Sequence, residues 1–173
     1  FLTFLLPGKA LEVCDELEIS GYIKNETAYC ISNPDNWMKI RNGIDLKADY
    51  SPLSYLSAFI NLRYYYDSVY DANNEFSTEA AHQLRKPLYQ WDWLRECYMD
   101  YTSDLLDVRL GKQTIVWGTA DGVKVLDMVN PMDMREFTLA PFDNSRIPLW
   151  TAKIEMSPTV NSTFQAFLIP YNF

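Results

Sequence analysis

The chain has 173 residues with 15 basic and 23 acidic side chains, a net charge of -8, and 48% apolar and 15% aromatic residues. That much apolar surface orders a chain of one domain's length and excludes wholesale disorder, while the negative charge repels phosphate backbones and disfavours a nucleic-acid partner. No stretch of about 18 apolar residues occurs, which excludes a membrane-spanning helix but not a membrane-spanning barrel, whose strands are half polar.

The chain opens on Phe1-Leu2-Thr3-Phe4-Leu5-Leu6-Pro7-Gly8-Lys9-Ala10, an apolar run closing on small residues. This predicts the tail of a secretory signal peptide over residues 1–10, with a short strand as the alternative. At the other end the chain stops at Phe173 just as a strand finishes. Residues 11–173 are therefore expected to be the N-terminal part of a larger domain. Three cysteines, Cys14, Cys30 and Cys97, are too few and too scattered for a zinc site. In an exported chain Cys14 and Cys30 form a candidate disulfide; the alternative is three free thiols. No cofactor or metal is expected.

Alternation with period two predicts seven strands. The first runs from Ile19 to Ile31, with Lys24 and Glu26 on one side and Ile23, Thr27 and Tyr29 on the other. In the second, Met38 to Tyr50, one face carries Met38, Ile40, Ile44, Leu46 and Tyr50 and the other Lys39, Arg41, Asp45, Lys47 and Asp49. Ser51-Pro52-Leu53 reads as a turn into the third, where Leu56, Ile60, Leu62 and Tyr64 oppose Asn61, Arg63 and Asp67.

A long loop follows, in which Ser77 to Lys86, stopped by Pro87, has the cap and charge order of a short helix. The fourth strand, Arg95 to Tyr101, turns through Thr102-Ser103-Asp104 into the fifth, Leu106 to Trp117, which sets Val108 and Leu110 against Asp107, Arg109 and Gln113. In the second long loop, Asn130 as cap, Pro131 at the first helical position and Asp133 in the first turn predict another short helix. Its apolar residues favour a loop folded back over or into a barrel mouth. The sixth strand, Trp150 to Met156, places Lys153 and Glu155 on its polar side, and Ser157 to Asn161 turns the chain into the seventh, Ser162 to Ile169.

Soluble antiparallel sheets also alternate, so the alternation leaves a β-sandwich open. Strands of 12 to 13 residues exceed the roughly five or six usual in soluble sheets and suffice to cross a bilayer. Tight turns alternate with two long loops, and aromatic residues gather near the strand ends, as in outer-membrane barrels. The expected fold is an all-β, antiparallel transmembrane barrel with short helices in its loops. Lys39, Arg41, Asp45, Lys47, Arg63, Asp107, Arg109, Gln113, Lys153 and Glu155 are its candidate lumen-lining residues.

Arg109-Leu110-Gly111-Lys112-Gln113, Val116-Trp117-Gly118, Asp121-Gly122, Asp127, Asn130-Pro131, Asp133, Arg135-Glu136, Asp143 and Ser145-Arg146-Ile147-Pro148 form a dense motif. It resembles the signature of a Gram-negative family of outer-membrane proteins known as a domain of unknown function (DUF1302). The resemblance is dense from Leu94 to Ile169 and rests on strand pattern alone before that. It implies a signal peptide, a large barrel, an outer-membrane location, and neighbours among exporters of hydrophobic substrates. The three cysteines depart from the usual composition of such barrels. Within the motif, Trp117, Asp121, Asp127, Asn130, Asp133, Arg135, Glu136, Asp143 and Arg146 are candidates for an inward loop. They form either a binding or constriction site or buried partners that pin the loop, such as Arg135 or Arg146 with Asp121, Asp127 or Asp143.

Two functions follow. One is a porin-like channel or transport component in contact with outer-membrane lipid, a small solute and envelope transport machinery. The other is a non-conducting binding or scaffold protein whose lumen the second loop plugs. An enzyme is not expected, because the sole histidine, His82, has no nucleophile motif beside it.

Overall fold

The computed structural model describes residues 2–8, 11–31, 36–69, 93–116, 129–133, 145–159 and 162–170. These residues form nine strands: β1 (Leu2–Pro7), β2 (Leu11–Cys14), β3 (Leu17–Cys30), β4 (Asn36–Leu53), β5 (Leu56–Asp67), β6 (Leu94–Thr102), β7 (Leu106–Gln113), β8 (Leu149–Thr159) and β9 (Ser162–Leu168). Their hydrogen-bonded order is β1-β3-β4-β5-β6-β7-β8-β9, with β2 also on β3. The sheet is antiparallel, as its alternation predicted. It is not closed: among the described residues no pairing joins β1 to β9.

Two compact units divide the chain, Phe1–Tyr50 with Ile60–Leu94, and Ser51–Phe59 with Arg95–Phe173. In the first, β3 pairs with β4 from Leu17↔Tyr50 to Cys30↔Asn36, with one register shift after Ala28. Residues 2–7, expected as a signal-peptide tail or a short strand, form β1 and pair with Tyr22 to Thr27. The turn expected at Ser51–Leu53 instead continues β4, and the chain reverses at Ser54-Tyr55, because an antiparallel pair needs only two residues to turn.

In the second unit β7 pairs with β6 and β8 in continuous register. Gly111 has φ 138, open to glycine and strained for other residues. Ser157 to Thr159, expected in a turn, extend β8, and a register shift between Met156 and Thr159 accommodates them.

The expected loop helices are not borne out. Ser77 to Lys86 lie outside the described residues. At Asn130 no helix begins: Met132 instead makes an antiparallel bridge to Arg146, and Asp133 N donates to Ser145 O at 2.6 Å. Pairing with a distant segment satisfies the backbone groups that a helix would have bonded locally.

Nor do Cys14 and Cys30 form a disulfide with each other; all three cysteines are thiols. Cys14 pairs with Leu17 at one end of β3 and Cys30 ends that strand. Roughly 40 Å of extended chain separates those ends at about 3.3 Å per residue, against the roughly 7 Å that a disulfide spans.

Burial is inverted relative to a water-soluble sheet. Among the described residues the buried apolar side chains are Val69 and Ile115, while Glu26, Lys39, Asp45, Asn61, Asp67, Arg95, Gln113, Asn130, Ser145, Arg146 and Thr151 are buried polar ones. On β4 the alternation is explicit: Met38, Ile44 and Leu46 are 64%, 44% and 50% exposed, and Asp45 between them is 1% exposed. In each unit the most buried side chains are thus mostly polar or charged, while large apolar side chains are exposed.

Candidate functional site

In the first unit the polar face is an ion-pair network carried on three strands. Glu26 on β3 takes Lys24 Nζ at 2.5 Å and Lys39 Nζ at 2.8 Å. Asp45 Oδ2 accepts from Arg63 Nε at 2.7 Å and from the Tyr22 hydroxyl at 3.5 Å. Arg41 Nε lies 3.8 Å from Asp67 Oδ2. The other Asp67 oxygen caps the end of β5, accepting from Ile40 N at 2.8 Å and Val69 N at 3.2 Å. Strand alternation stacks these groups on one face, and pairing across strands satisfies charges that burial alone would penalise.

In the second unit Arg109 grips Asp100 with two hydrogen bonds, 2.5 and 2.8 Å long. Its guanidinium lies 4.1 Å from the Tyr98 ring centroid, and Tyr98 stacks on Phe59 at 5.1 Å. Lys153 Nζ is 3.1 Å from Glu155, which also accepts from Gln165. The β7–β8 register sets Asp107 opposite Glu155 and Arg109 opposite Lys153. Like charges face each other across the strands, an arrangement that costs energy unless other groups intervene. Asp100, Thr102, Asp107, Arg109, Lys153 and Glu155 line an open cleft of about 220 Å³.

Of the ten residues expected on one polar surface, Lys39, Arg41, Asp45 and Arg63 enter the first network, and Asp107, Arg109, Lys153 and Glu155 line the cleft. Gln113 is buried farther along β7, its Nε2 3.4 Å from Arg109 O and 3.3 Å from Thr151 O. The Lys47 side chain makes no hydrogen bond or ion pair among the described residues, although its backbone pairs with Ser20. Three buried oxygens, Asp45 Oδ1, Asn61 Oδ1 and Thr151 Oγ1, also have no hydrogen-bond partner there. Such atoms are normally met by water.

From the loop motif, Asn130, Asp133 and Arg146 are described; Trp117, Asp121, Asp127, Arg135, Glu136 and Asp143 lie outside the described residues. Asn130 is a clasp. Its Oδ1 accepts from Ile115 N and its Nδ2 donates to Ile147 O, both at 2.9 Å. Ile147 N donates back to Pro131 O at 2.8 Å, and the Arg95 guanidinium donates to Arg146 O. This pins residues 129–133 and 145–148 beside the end of β7.

Asp100, Tyr65 and Arg95 were not singled out by sequence, and Asp67, placed on the polar face of its strand, was not among the candidate site residues. Asp100 was not legible: it sits opposite Arg109 because the chain reverses at Asp104-Leu105 and not at the expected Thr102-Ser103-Asp104 turn. Nor was Arg95, since its partner is a backbone carbonyl 51 residues away.

Among the described residues no group of His, Cys, Asp or Glu is placed to hold a metal ion, and no helix is long and apolar enough to cross a membrane, which says nothing of a β-barrel. No curated protein and no solved structure matches the chain. A family model does, over residues 36–173, and its description is a protein of unknown function (DUF1302). The match takes in β4 to β9, both polar networks from Lys39 onward and the Asn130 clasp. By that match the chain belongs to the DUF1302 family.

Proposed function

We propose that this protein is an outer-membrane β-barrel of the Gram-negative envelope, acting as a porin-like channel or transport component and not as an enzyme. The inverted burial carries this reading. Faces with Met38, Ile44 and Leu46 exposed in the first unit and Leu110, Ile154 and Phe164 exposed in the second are costly in water, and a bilayer is the solvent that favours them. Ionic pairs and partnerless buried oxygens on the other face suit a wet interior. Aromatic residues mark strand ends: Tyr29 and Trp37 pack edge to face at 4.9 Å, and Tyr55 and Tyr101 at 6.1 Å, as interfacial side chains do. A bilayer tolerates no open sheet edge, so in this reading the sheet is closed in the membrane. Hydrophobic compounds are the solute class implied by the resemblance to the exporter-linked family.

The Asn130 clasp favours a second reading, a barrel whose lumen the β7–β8 connection plugs. Its hydrogen bonds hold the roots of that connection to each other and to Ile115, just beyond β7.

Membrane fractionation with heat-dependent gel mobility, followed by conductance in planar bilayers, tests both. Detergent-dependent extraction, a heat-modifiable band and solute-dependent conductance are expected. Extraction of a heat-insensitive protein by buffer alone overturns the barrel; a membrane-embedded protein without conductance or uptake favours the plugged form.

A further inference from the structure

On the outward face of the first unit, the rungs of the β3–β4 pair run Gly21↔Leu46, Ile23↔Ile44, Asn25↔Asn42, Thr27↔Ile40. The aliphatic ladder is broken by one amide pair. Asn25 Nδ2 donates to Asn42 Oδ1 at 2.7 Å, and Thr27 Oγ1 donates to Asn25 Oδ1 at 2.9 Å. These bonds use both side-chain oxygens of the pair but only one of its four amide hydrogens. The remaining three have no acceptor among the described residues. In water that is unremarkable, because water supplies the acceptors.

The rung's depth makes it informative. Four residues separate Asn25 from Tyr29 and eight from Leu17, whose partner is Tyr50, roughly 13 and 26 Å along the strand at about 3.3 Å per residue. If aromatic Tyr29, Trp37 and Tyr50 mark the interfaces, the amides lie at hydrocarbon depth. Lipid tails offer no acceptor there, and polar side chains inside a membrane find partners on other protein segments.

We infer that the Asn25–Asn42 rung is the centre of a contact with a second copy of this chain within the membrane, an inference that rests on the barrel reading. A second copy fits because the rung carries both amide donors and amide oxygens, so it is complementary to its own image across a two-fold axis. Ile23 and Ile44, 54% and 44% exposed, provide a flat aliphatic rim on the adjacent rung.

The test uses the full chain in lipid vesicles. Sedimentation is compared for the parent and for Asn25→Leu with Asn42→Leu, an exchange compatible with lipid; heat-modifiable mobility reports folding of each. In a background with all three cysteines changed to Ser, Ile44→Cys on the adjacent rung, which leaves the amide pair intact, is oxidised beside Leu110→Cys, which lies on the exposed apolar face of the other unit. An oligomeric parent, at least tenfold weaker association of the Leu variant and a dimer band specific to Ile44→Cys are expected. A monomeric parent, unchanged association of a folded Leu variant, or cross-linking only to a different protein overturns the inference. Release of the parent from membranes by buffer alone overturns the barrel reading itself, whereas an embedded monomer overturns only the self-contact.

Discussion

The ring of Tyr65 lies across Gly43: a Cβ at position 43 would fall 2.5 Å from its Cδ1 and 2.6 Å from its Cε1. Glycine permits this approach because nothing projects from its Cα. The Arg41 and Arg63 guanidinium carbons lie 5.8 and 5.9 Å from the ring centroid, so the ring sits among the cations of the first polar network. Gly43→Ala is expected to displace the ring and destabilise the fold by about 1–3 kcal/mol, the usual cost of overpacking. In a Tyr65→Ala background most of that cost should vanish. Urea unfolding midpoints around the double-mutant cycle measure the coupling.

Asp45 and Arg63 are a buried ion pair, their side chains 1% and 9% exposed. Asp45→Ala strands the guanidinium and should cost about 3–5 kcal/mol; replacing the pair together with Leu and Met should cost far less. The same unfolding assay distinguishes the two, and equal losses would show that the pair does not act as a unit.

Leu110, 53% exposed on β7, separates the two solvents. Leu110→Lys at a water-facing position changes stability by about 0.5 kcal/mol or less. On a lipid face it costs about 2–4 kcal/mol at the bilayer midplane. Folding yield into vesicles, read by heat-modifiable mobility, should fall sharply.

Asn130 protects the Ile115 amide. Asn130→Ala should leave that buried N–H without an acceptor, at about 1–3 kcal/mol, and speed its hydrogen exchange. Asn130→Asp keeps the acceptor but loses the donor to Ile147 O. Protection at Ile115 should therefore survive in Asp and be lost in Ala.

If the cleft lies on the conduction path, its charges set ion preference. Asp107→Asn and Glu155→Gln should shift the bilayer reversal potential toward anions, and Lys153→Gln toward cations. Unchanged selectivity in all three places the cleft off the path.

Much of this architecture is legible in the order of residues, because a strand's side chains alternate with period two whatever surrounds them. Lys39, Arg41 and Asp45 had to share a face, as did Asp107 and Arg109. Strand ends were less legible. At Ser51 to Leu53 and Ser157 to Thr159, turn-forming residues continue in extended pairing because the partner strand is there to bond them. Asn130-Pro131 carried a sound helix start, yet the competing bonds to Ile115, Ile147 and Ser145 come from segments that local preference does not see.

By itself, then, the sequence determined the strands and the residues that share each face. Alternation is symmetric, however, and names neither face as inner. Only the tertiary structure decided that Asp45 and Gln113 turn inward while Ile44 and Leu110 turn outward, because the pairing of successive strands puts opposite charges within hydrogen-bonding distance on one side and leaves the apolar side uncovered.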